Sequence, residues 1–379
     1  MTTLPTSAPA PAPAPAILPN PHSNPNPKFS INKTPNVHTI SINDWEIETI
    51  KKPILNGKEI DSAERSLNLP LPEMTFGNNS IRLTYSPGSS SSASSSSASN
   101  SNSSGGQGDS EKKVELKFDS IKALAGVATG EGWEERVGGG VKVSMADKWT
   151  TKSSTHTNTF SGDMPIPSKP VKPHDWTFST CYSGSVAGPS SFKPSPTHSI
   201  PLALLARQDP VLDRILFYDD VPLYEDELHD NGESILNVRI RVMPHSFFIL
   251  SRLFLRVDNV LFRLHDVRIY HAFGSQEIIK EVSGMEVSYD QVKKHLERSS
   301  DLSPLTDPNW VNQKMTTISS SPSSSSLSTS ASNTEQGSKP WPGLGKRVEV
   351  LTLPKSDYQA VQDGLSHVSL QYYPNKIKR

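Results

Sequence analysis

The sequence predicts an α+β fold: a single domain built on antiparallel β-sheet with a few helices, carrying a long disordered tail and Ser/Pro-rich insertions. Three observations lead there. Leu236, Val238, Ile240 and Val242 alternate with Asn237, Arg239, Arg241 and Met243, the period of two that a half-buried strand requires. Turn-forming pairs, Asn231-Gly232 and Asp258-Asn259, separate the apolar runs around them, as in successive hairpins. Polar tracts fill much of the remainder; with them set aside, roughly 260–280 residues are left, enough for one large domain.

The elements follow in order. Residues 1–36 are rich in Pro, Ala and Asn and are expected to form an extended, disordered tail. Ile40–Ile47 alternates like a strand. Glu59–Asn68 reads as a short helix that stops before Pro70 and Pro72, and Ser80–Tyr85 as a strand. The insertion 86–111 follows, with 14 serines between positions 86 and 110. So few apolar side chains cannot offset an ordering cost of about 1–2 kcal/mol per residue, so this stretch is expected to be a disordered surface loop. Val114–Phe118 resumes as a strand, Ser120–Val127 as a helix, and Val141–Trp149 as a strand or short helix. Pro173–Thr180 is a strand between polar loops, and Pro201–Arg207 a short helix. Asp219–Leu228 and Ser234–Met243 form one hairpin about a tight Asn231-Gly232 turn. Phe247–Val257 and Val260–Tyr270 form a second about Asp258-Asn259. Phe247–Val257 is apolar on both faces, which suits a central strand or a buried helix. Ile278–Val287 reads as a strand and Tyr289–Arg298 as a helix. This gives a domain over 37–298, a disordered Ser-rich segment over 299–345, and a C-terminal segment 346–379 in which Arg347–Leu353 is a candidate strand.

Charge and composition exclude several classes. Lys+Arg 38 against Asp+Glu 39 leaves a net charge of −1, without the basic excess expected of a nucleic-acid binder. No apolar run approaches the ~18 residues of a membrane span. The start, MTTLPTSAPAPAPAPA, lacks the basic region of a signal peptide. Cys181 is the single cysteine and cannot form an internal disulfide. Together these suggest a reducing compartment, the cytoplasm and also the nucleus.

Two blocks of opposite charge adjoin. Residues 219–233 carry seven carboxylates, and residues 239–268 carry six arginines (239, 241, 252, 256, 263 and 268) with no lysine. Arginine without lysine suggests planar, bidentate recognition of carboxylate or phosphate; the plainer reading is cross-strand ion pairing, worth about 0–1 kcal/mol per surface pair. Metal chemistry would have to use His265, Asp266 and His271, in a metal-dependent hydrolase. No His-x₃-His, cysteine pair, Gly-x-Ser-x-Gly, Walker loop or Gly-x-Gly-x-x-Gly after a strand supports an enzyme. A third reading is a scaffold controlled by phosphorylation of its Ser-rich tracts, including the Ser-Pro dipeptides at 86, 195, 303 and 321.

Several ordered segments resemble a known family. Leu71-Pro72-Glu73-Met74-Thr75-Phe76-Gly77, Lys172-Pro173-His174-Asp175-Trp176-Thr177-Phe178, Leu223-Tyr224-Glu225-Asp226-Glu227-Leu228-His229-Asp230-Asn231-Gly232 and Arg241-Val242-Met243-Pro244-His245-Ser246-Phe247-Phe248 are similar to the TIPRL (TOR signalling pathway regulator-like, or TIP-forty-one-like) family. Leu253–Asp258 and Asp266–His271 continue the match, which covers roughly residues 40–290. The length and Ser-rich insertions look like those of a fungal member. The resemblance implies a non-enzymatic regulator without a cofactor. It would bind the catalytic subunit of type 2A protein phosphatases through a cleft that takes the C-terminal tail, and would act in TOR nutrient signalling. A second implied partner is the phosphatase-associated adaptor protein of the TOR pathway. Carried over by position, partner binding implicates Ile215, Leu264 (in place of a methionine) and Asp266. Arg241, Arg256, Arg263 and Arg268 are the donors expected to receive the tail carboxylate, with Asp266 orienting Arg263 or Arg268. Lys122 and Cys181 stand where the family carries aspartate, and His174 where it carries tyrosine.

Overall fold

A computed structural model of the chain describes residues 27–67, 70–88, 113–125, 141–142, 178–206, 214–228, 230–320 and 345–354. The strands in chain order are β1 Phe29–Lys33, β2 Val37–Ile42, β3 Trp45–Ile50, β4 Met74–Thr75, β5 Ser80–Tyr85, β6 Val114–Asp119, β7 Val141–Lys142, β8 Ser179–Thr180, β9 Ser185–Ala187, β10 Lys193–Pro194, β11 Phe217–Asp226, β12 Gly232–Met243, β13 Ser246–Val257, β14 Leu261–Ala272, β15 Glu277–Ser288 and β16 Gly345–Thr352. They form a six-stranded sheet, β1-β2-β3-β5-β6-β9, and an eight-stranded sheet, β10-β16-β15-β14-β13-β12-β11-β4, with β7-β8 as a small ribbon. Every pairing is antiparallel. Helices are few: α1 Gly57–Leu67, α2 Ser120–Leu124, α3 Tyr289–Lys293, α4 Pro308–Ser320, and 3₁₀ turns at Leu202–Ala206 and Ser303–Thr306. The α+β expectation holds.

The main core lies between the two sheets. Leu236, Val238, Ile240 and Val242 share one buried face, as their alternation predicts, and meet Ile40, Ile42, Trp45, Ile47, Ile81 and Leu83 of the smaller sheet. β13 is a central strand, apolar at most positions on both sides because both sides are largely covered, with Arg252 and Arg256 as the charged exceptions. Phe247, Ile249 and Leu253 enter the main core. On the outer side Phe254 packs with Val311 and Met315 of α4, and Phe248 packs with Ile200 and Leu204 of the first 3₁₀ turn. One charged group ties the sheets together. Asp219, 4% exposed, faces the smaller sheet and accepts from Thr49 Oγ1 at 2.5 Å, His38 Nδ1 at 2.9 Å, and Lys51. Burial alone would raise its pKa; the donors Lys51, Thr49 and His38 outweigh that and hold it below the usual carboxylate range.

Several boundaries differ from the sequence reading, each for a local reason. The Asn231-Gly232 pair is not a two-residue turn. β11 ends at Asp226, and the connection runs through 227–231, with Leu228 and Asp230 at φ 52° and 62°. The Asp226 carboxylate takes the Leu228 amide at 2.7 Å and the Glu73 amide at 2.9 Å, which fixes the longer loop. Glycine is needed at 232 for a different reason: a Cβ there would lie 2.0 Å from the Arg256 carbonyl oxygen. Ile40–Ile47 is two strands, reversed at Asn43 (φ 51°). The helix expected over Tyr289–Arg298 is α3, ending at Lys293, and that expected over Ser120–Val127 is α2, ending at Leu124. Two stretches expected to be unstructured contain elements. β1, inside the 1–36 tail, pairs with β2 just beyond it, and α4 lies inside 299–345, capped by the Asp307 carboxylate on the Asn309 amide (2.8 Å) and held down by Val311 and Met315. β16, from the C-terminal segment, is integral to the large sheet. The rest of Val141–Trp149, most of Pro173–Thr180 and the Ser-rich tracts lie outside the described residues.

Candidate functional site

The large sheet turns its second face away from the main core, and strand alternation decides which residues appear there. Two rows cross it. One is Asp220, Arg239, Leu250, Arg268, Glu281 and Val348; the next is Pro222, Asn237, Arg252, Asp266, Ser283 and Lys346. Two apolar clusters flank these rows. One lies under α3 and α4 and includes Phe254, Phe262 and Leu264; the other lies under the 3₁₀ turn at Leu202–Ala206 and includes Met243, Phe248 and Tyr270. The outer face is therefore a charged belt between two apolar shoulders.

Asp266 is the hub of the belt. It is 3% exposed. Arg252 grips it bidentately, Nε to Oδ1 at 2.7 Å and Nη2 to Oδ2 at 2.8 Å, and Arg268 Nη2 reaches Oδ2 at 2.7 Å. Arg268 also pairs with Glu281 (3.1 Å), which Lys346 holds from the other side (2.8 Å). Burial works to lower the pKa of Arg252, and the hydrogen bonds and charge of Asp266 more than reverse it. The planar fork of arginine matches the carboxylate geometry directly.

The structure sorts the expected site residues into three groups. Arg256 pairs with Asp258 (2.9 Å) and Glu233 (3.9 Å) near the hairpin ends. Arg263 is on the opposite face, bound to Glu286 at 2.7 Å and to Ser179 Oγ. Three residues from Asp266 in a strand means the other side of the sheet, so Asp266 orients Arg268 and Arg252, not Arg263. Leu264 is 1% exposed beneath the helices, so it shapes the surface from below and does not itself meet solvent. Ile215 is 51% exposed, just outside the ladder that Leu216 joins through the Val242 carbonyl (2.8 Å). Beside it, Tyr218 is 49% exposed and lies directly across from Arg241. Among the described residues, Arg241 is the arginine of the six that forms no ion pair. Strand spacings of about 4.8 Å and a rise of about 3.3 Å per residue put Arg241 on the order of 12 Å from Arg268, and Ile215 on the order of 25 Å from Asp266. Ile215 and Asp266 thus do not share a contact point.

His265, Asp266 and His271 do not form a metal site. Both histidines face the main core while Asp266 faces outward, and six residues of strand separate the histidines by about 20 Å. Among the described residues no group of three or more His, Cys, Asp or Glu could hold a metal ion, and no helix is long and apolar enough to cross a membrane. Burial lowers both histidines to about 4. His271 Nδ1 donates to the Glu277 carbonyl at 3.0 Å.

The TIP41-like family matches residues 107–293. The Type 2A phosphatase activator TIP41 of Saccharomyces cerevisiae is 37% identical over 287 residues, covering 73% of this chain and 71% of that protein. The chain belongs to the TIP41-like family. A TIP41-like protein of Dictyostelium discoideum is 36% identical over 290 residues, covering 73% of this chain and 88% of its own length. The Type 2A phosphatase activator tip41 of Schizosaccharomyces pombe is 27% identical over 279 residues, covering 73% of this chain and 94% of its own.

Within this TIP41-like chain, Lys122 lies away from the belt: its amide caps onto the Asp119 carboxylate at 2.7 Å and its Nζ reaches Ser185 Oγ at 3.3 Å, on the edge of the smaller sheet. Cys181 is half-buried against the main core, and His174 lies outside the described residues. Two functional candidates are missing from the sequence reading, Arg252 and Tyr218. The Asp258-Asn259 turn read from the sequence sets Arg252 opposite His265; because Val260 also lies in the turn, the ladder pairs Arg252 with Asp266 instead. The exposure of Tyr218 had no signal in the sequence.

Proposed function

We propose that this protein is a non-enzymatic regulator that binds the catalytic subunit of type 2A protein phosphatases and tunes its output in TOR nutrient signalling, in the cytoplasm and nucleus. The names of the yeast relatives, both type 2A phosphatase activators, supply the partner class. The observation that carries the reading is Arg241, an arginine without an ion pair among the described residues, directly across from exposed Tyr218 at the end of the belt, with exposed Ile215 just beyond the ladder. Along the two belt rows and at Arg241 beside them, Arg239, Arg241, Arg252, Arg268 and Lys346 stand against Asp220, Asp266 and Glu281, a local positive surplus suited to an acidic or carboxylate-ending segment. An extended tail of about eight residues, at ~3.3 Å each, spans the face from Ile215 to Asp266. In this reading the tail's carboxylate meets the Arg241 fork and its apolar side chains meet Ile215 and Tyr218. The phosphatase-associated adaptor of the TOR pathway is a second expected partner.

The test is a binding assay with purified catalytic subunit, intact and lacking its last few residues. Arg241→Ala and Ile215→Thr keep the wild-type melting temperature and weaken binding. The arginine change costs about tenfold or more, the scale of one charge-assisted hydrogen bond. Binding that survives both substitutions and removal of the tail refutes the site.

A further inference from the structure

We propose that Ser195 is a phosphorylation site for a proline-directed protein kinase, and that phosphate there resets the charged belt; the second half rests on the partner-binding reading above. Four serines precede proline, at 86, 195, 303 and 321, and their surroundings differ. Ser303 Oγ donates to the Asp301 carboxylate at 2.7 Å, so a phosphate there would face a negative charge. The Ser86 amide is bound to the carbonyl of Asp44, an acidic neighbour. Ser321 lies outside the described residues.

Ser195 lies among basic side chains. Its amide donates to the Val348 carbonyl at 2.9 Å, extending the β10–β16 ladder by one residue and holding the dipeptide at the sheet edge, with Pro196 and Thr197 exposed. Its Oγ lies 2.6 Å from His198 Nδ1, and His198 Nε2 lies 3.4 Å from Glu277. The register puts exposed Lys193 on the same face two residues earlier. It makes Lys346, 62% exposed, the diagonal neighbour across the ladder, about 7–8 Å away and within reach of a lysine. His198 thus already touches the Ser195 hydroxyl, and Lys193 and Lys346 stand on the same face of the sheet within side-chain reach of a phosphate there, His198 now held by Glu277 and Lys346 by Glu281.

In the transfer, the kinase moves the γ-phosphoryl group of ATP to Oγ. The Oγ–P bond forms, the bridging β–γ P–O bond breaks, ADP leaves, and the hydroxyl proton passes to the kinase's base. The product carries about −1.5 to −2 charges and three acceptor oxygens. It competes with Glu277 for His198 and with Glu281 for Lys346. Glu281 is the link to Arg268, Asp266 and Arg252, so the new charge acts at the end of the belt and cancels its positive surplus. An anionic segment then binds more weakly.

The full chain, treated with a proline-directed kinase and ATP and mapped by mass spectrometry, should carry phosphate on Ser195. In a ³¹P NMR titration that phosphate should ionise below the ordinary value of about 6, and move back toward it in His198→Ala and in Lys346→Ala. The phosphorylated chain should bind the catalytic subunit roughly three- to tenfold more weakly, as for loss of one rim charge, with Lys346→Ala removing most of the difference. Phosphate on Ser86 and Ser303 but not on Ser195, or a Ser195 phosphate that titrates as in a free peptide, overturns the site. Equal affinity of the two forms overturns the coupling. If the unmodified chain does not bind the subunit, the coupling falls with the functional reading, and the titration still decides the phosphorylation site.

Discussion

Replacing Asp266 by Asn is the sharpest perturbation of the outer face. The change keeps the size of the side chain and removes its charge. Arg252, 9% exposed, then keeps a buried positive charge with one hydrogen-bond acceptor in place of two, and the new amide N–H₂ points at guanidinium donors. Arg268 fares better because Glu281 still holds it at 3.1 Å. Breaking a buried pair by removing one partner costs about 3–5 kcal/mol, and the rescue of Arg268 sets the lower end, about 3 kcal/mol. At roughly 2–4 °C per kcal/mol for a domain of 150–250 residues, the melting temperature should fall by about 6–12 °C. Calorimetry or circular dichroism on the full chain reads this directly, and phosphatase affinity measured below the transition reads binding separately. The sequence alone suggests that this variant binds its partner more weakly while the domain stays folded. The saturated carboxylate indicates instead that stability falls whatever happens to binding. A melting temperature within about 2 °C of wild type would falsify the assignment of Asp266 as the hub. The pair Arg252→Met with Asp266→Leu should recover much of the loss, because an apolar pair removes the stranded charge.

Other outcomes follow from the same geometry. His271 is neutral in the folded chain down to about 4 but takes a proton near 6.5 when unfolded, so stability falls as pH drops from 6.5 toward 4, by up to about 1.4 kcal/mol per pH unit. His271→Asn, which keeps a donor for the Glu277 carbonyl, should flatten the melting-temperature profile over that range, and an unchanged profile contradicts it. Asp219, held below the carboxylate range, stabilises the fold above its unfolded value of about 3.9 and loses that contribution only as pH falls through the lower folded value; Asp219→Asn should therefore destabilise at pH 7, read by denaturant titration. Gly232→Ala should destabilise by more than about 3 kcal/mol, since its Cβ would overlap the Arg256 carbonyl; a loss below 1 kcal/mol would mean the strands part easily there. Tyr85 and Val114 are direct cross-strand neighbours, so exchanging residues 86–113 for a short Gly-containing turn should leave both melting temperature and phosphatase binding intact. Loss of binding alone would instead favour the Ser-tract scaffold.

Much of the large sheet was legible because its strands alternate and its hairpins are short. Leu236 to Val242 declared their face, but the Asp258-Asn259 turn as read leaves the β13–β14 register one residue off: Val260 joins the turn, so Val257 meets Leu261 and Arg252 meets Asp266 rather than His265. Asn231-Gly232 misled, because an Asp226 carboxylate that binds two amides outcompetes the two-residue turn. β1 and α4 were obscured by composition. Val311, Met315 and Ile318 carry a helical stripe behind an Asp307-Pro308 start, but serines on either side dilute it. The candidate site was harder to see. A list of arginines does not say which ones spend their donors internally, and only the pairing left Arg241 distinct. Burial of Leu264 depended on α4, an element the sequence reading had discounted.

β14 runs in unbroken register with β13 over twelve residues and with β15 over eleven, and its two sides serve different ends. Even-numbered positions from Leu264 to Arg268 belong to the outer face; odd-numbered positions from Arg263 to Val267 belong to the interior and its inter-sheet packing. A substitution scan along this strand should therefore give two interleaved classes of phenotype, and neighbouring codons should resemble each other less than codons two apart. A single-codon deletion here would be worse than any substitution, since it exchanges the two sets of side chains for every position beyond it. Genetic variation in this stretch is best interpreted by parity before it is interpreted by residue type.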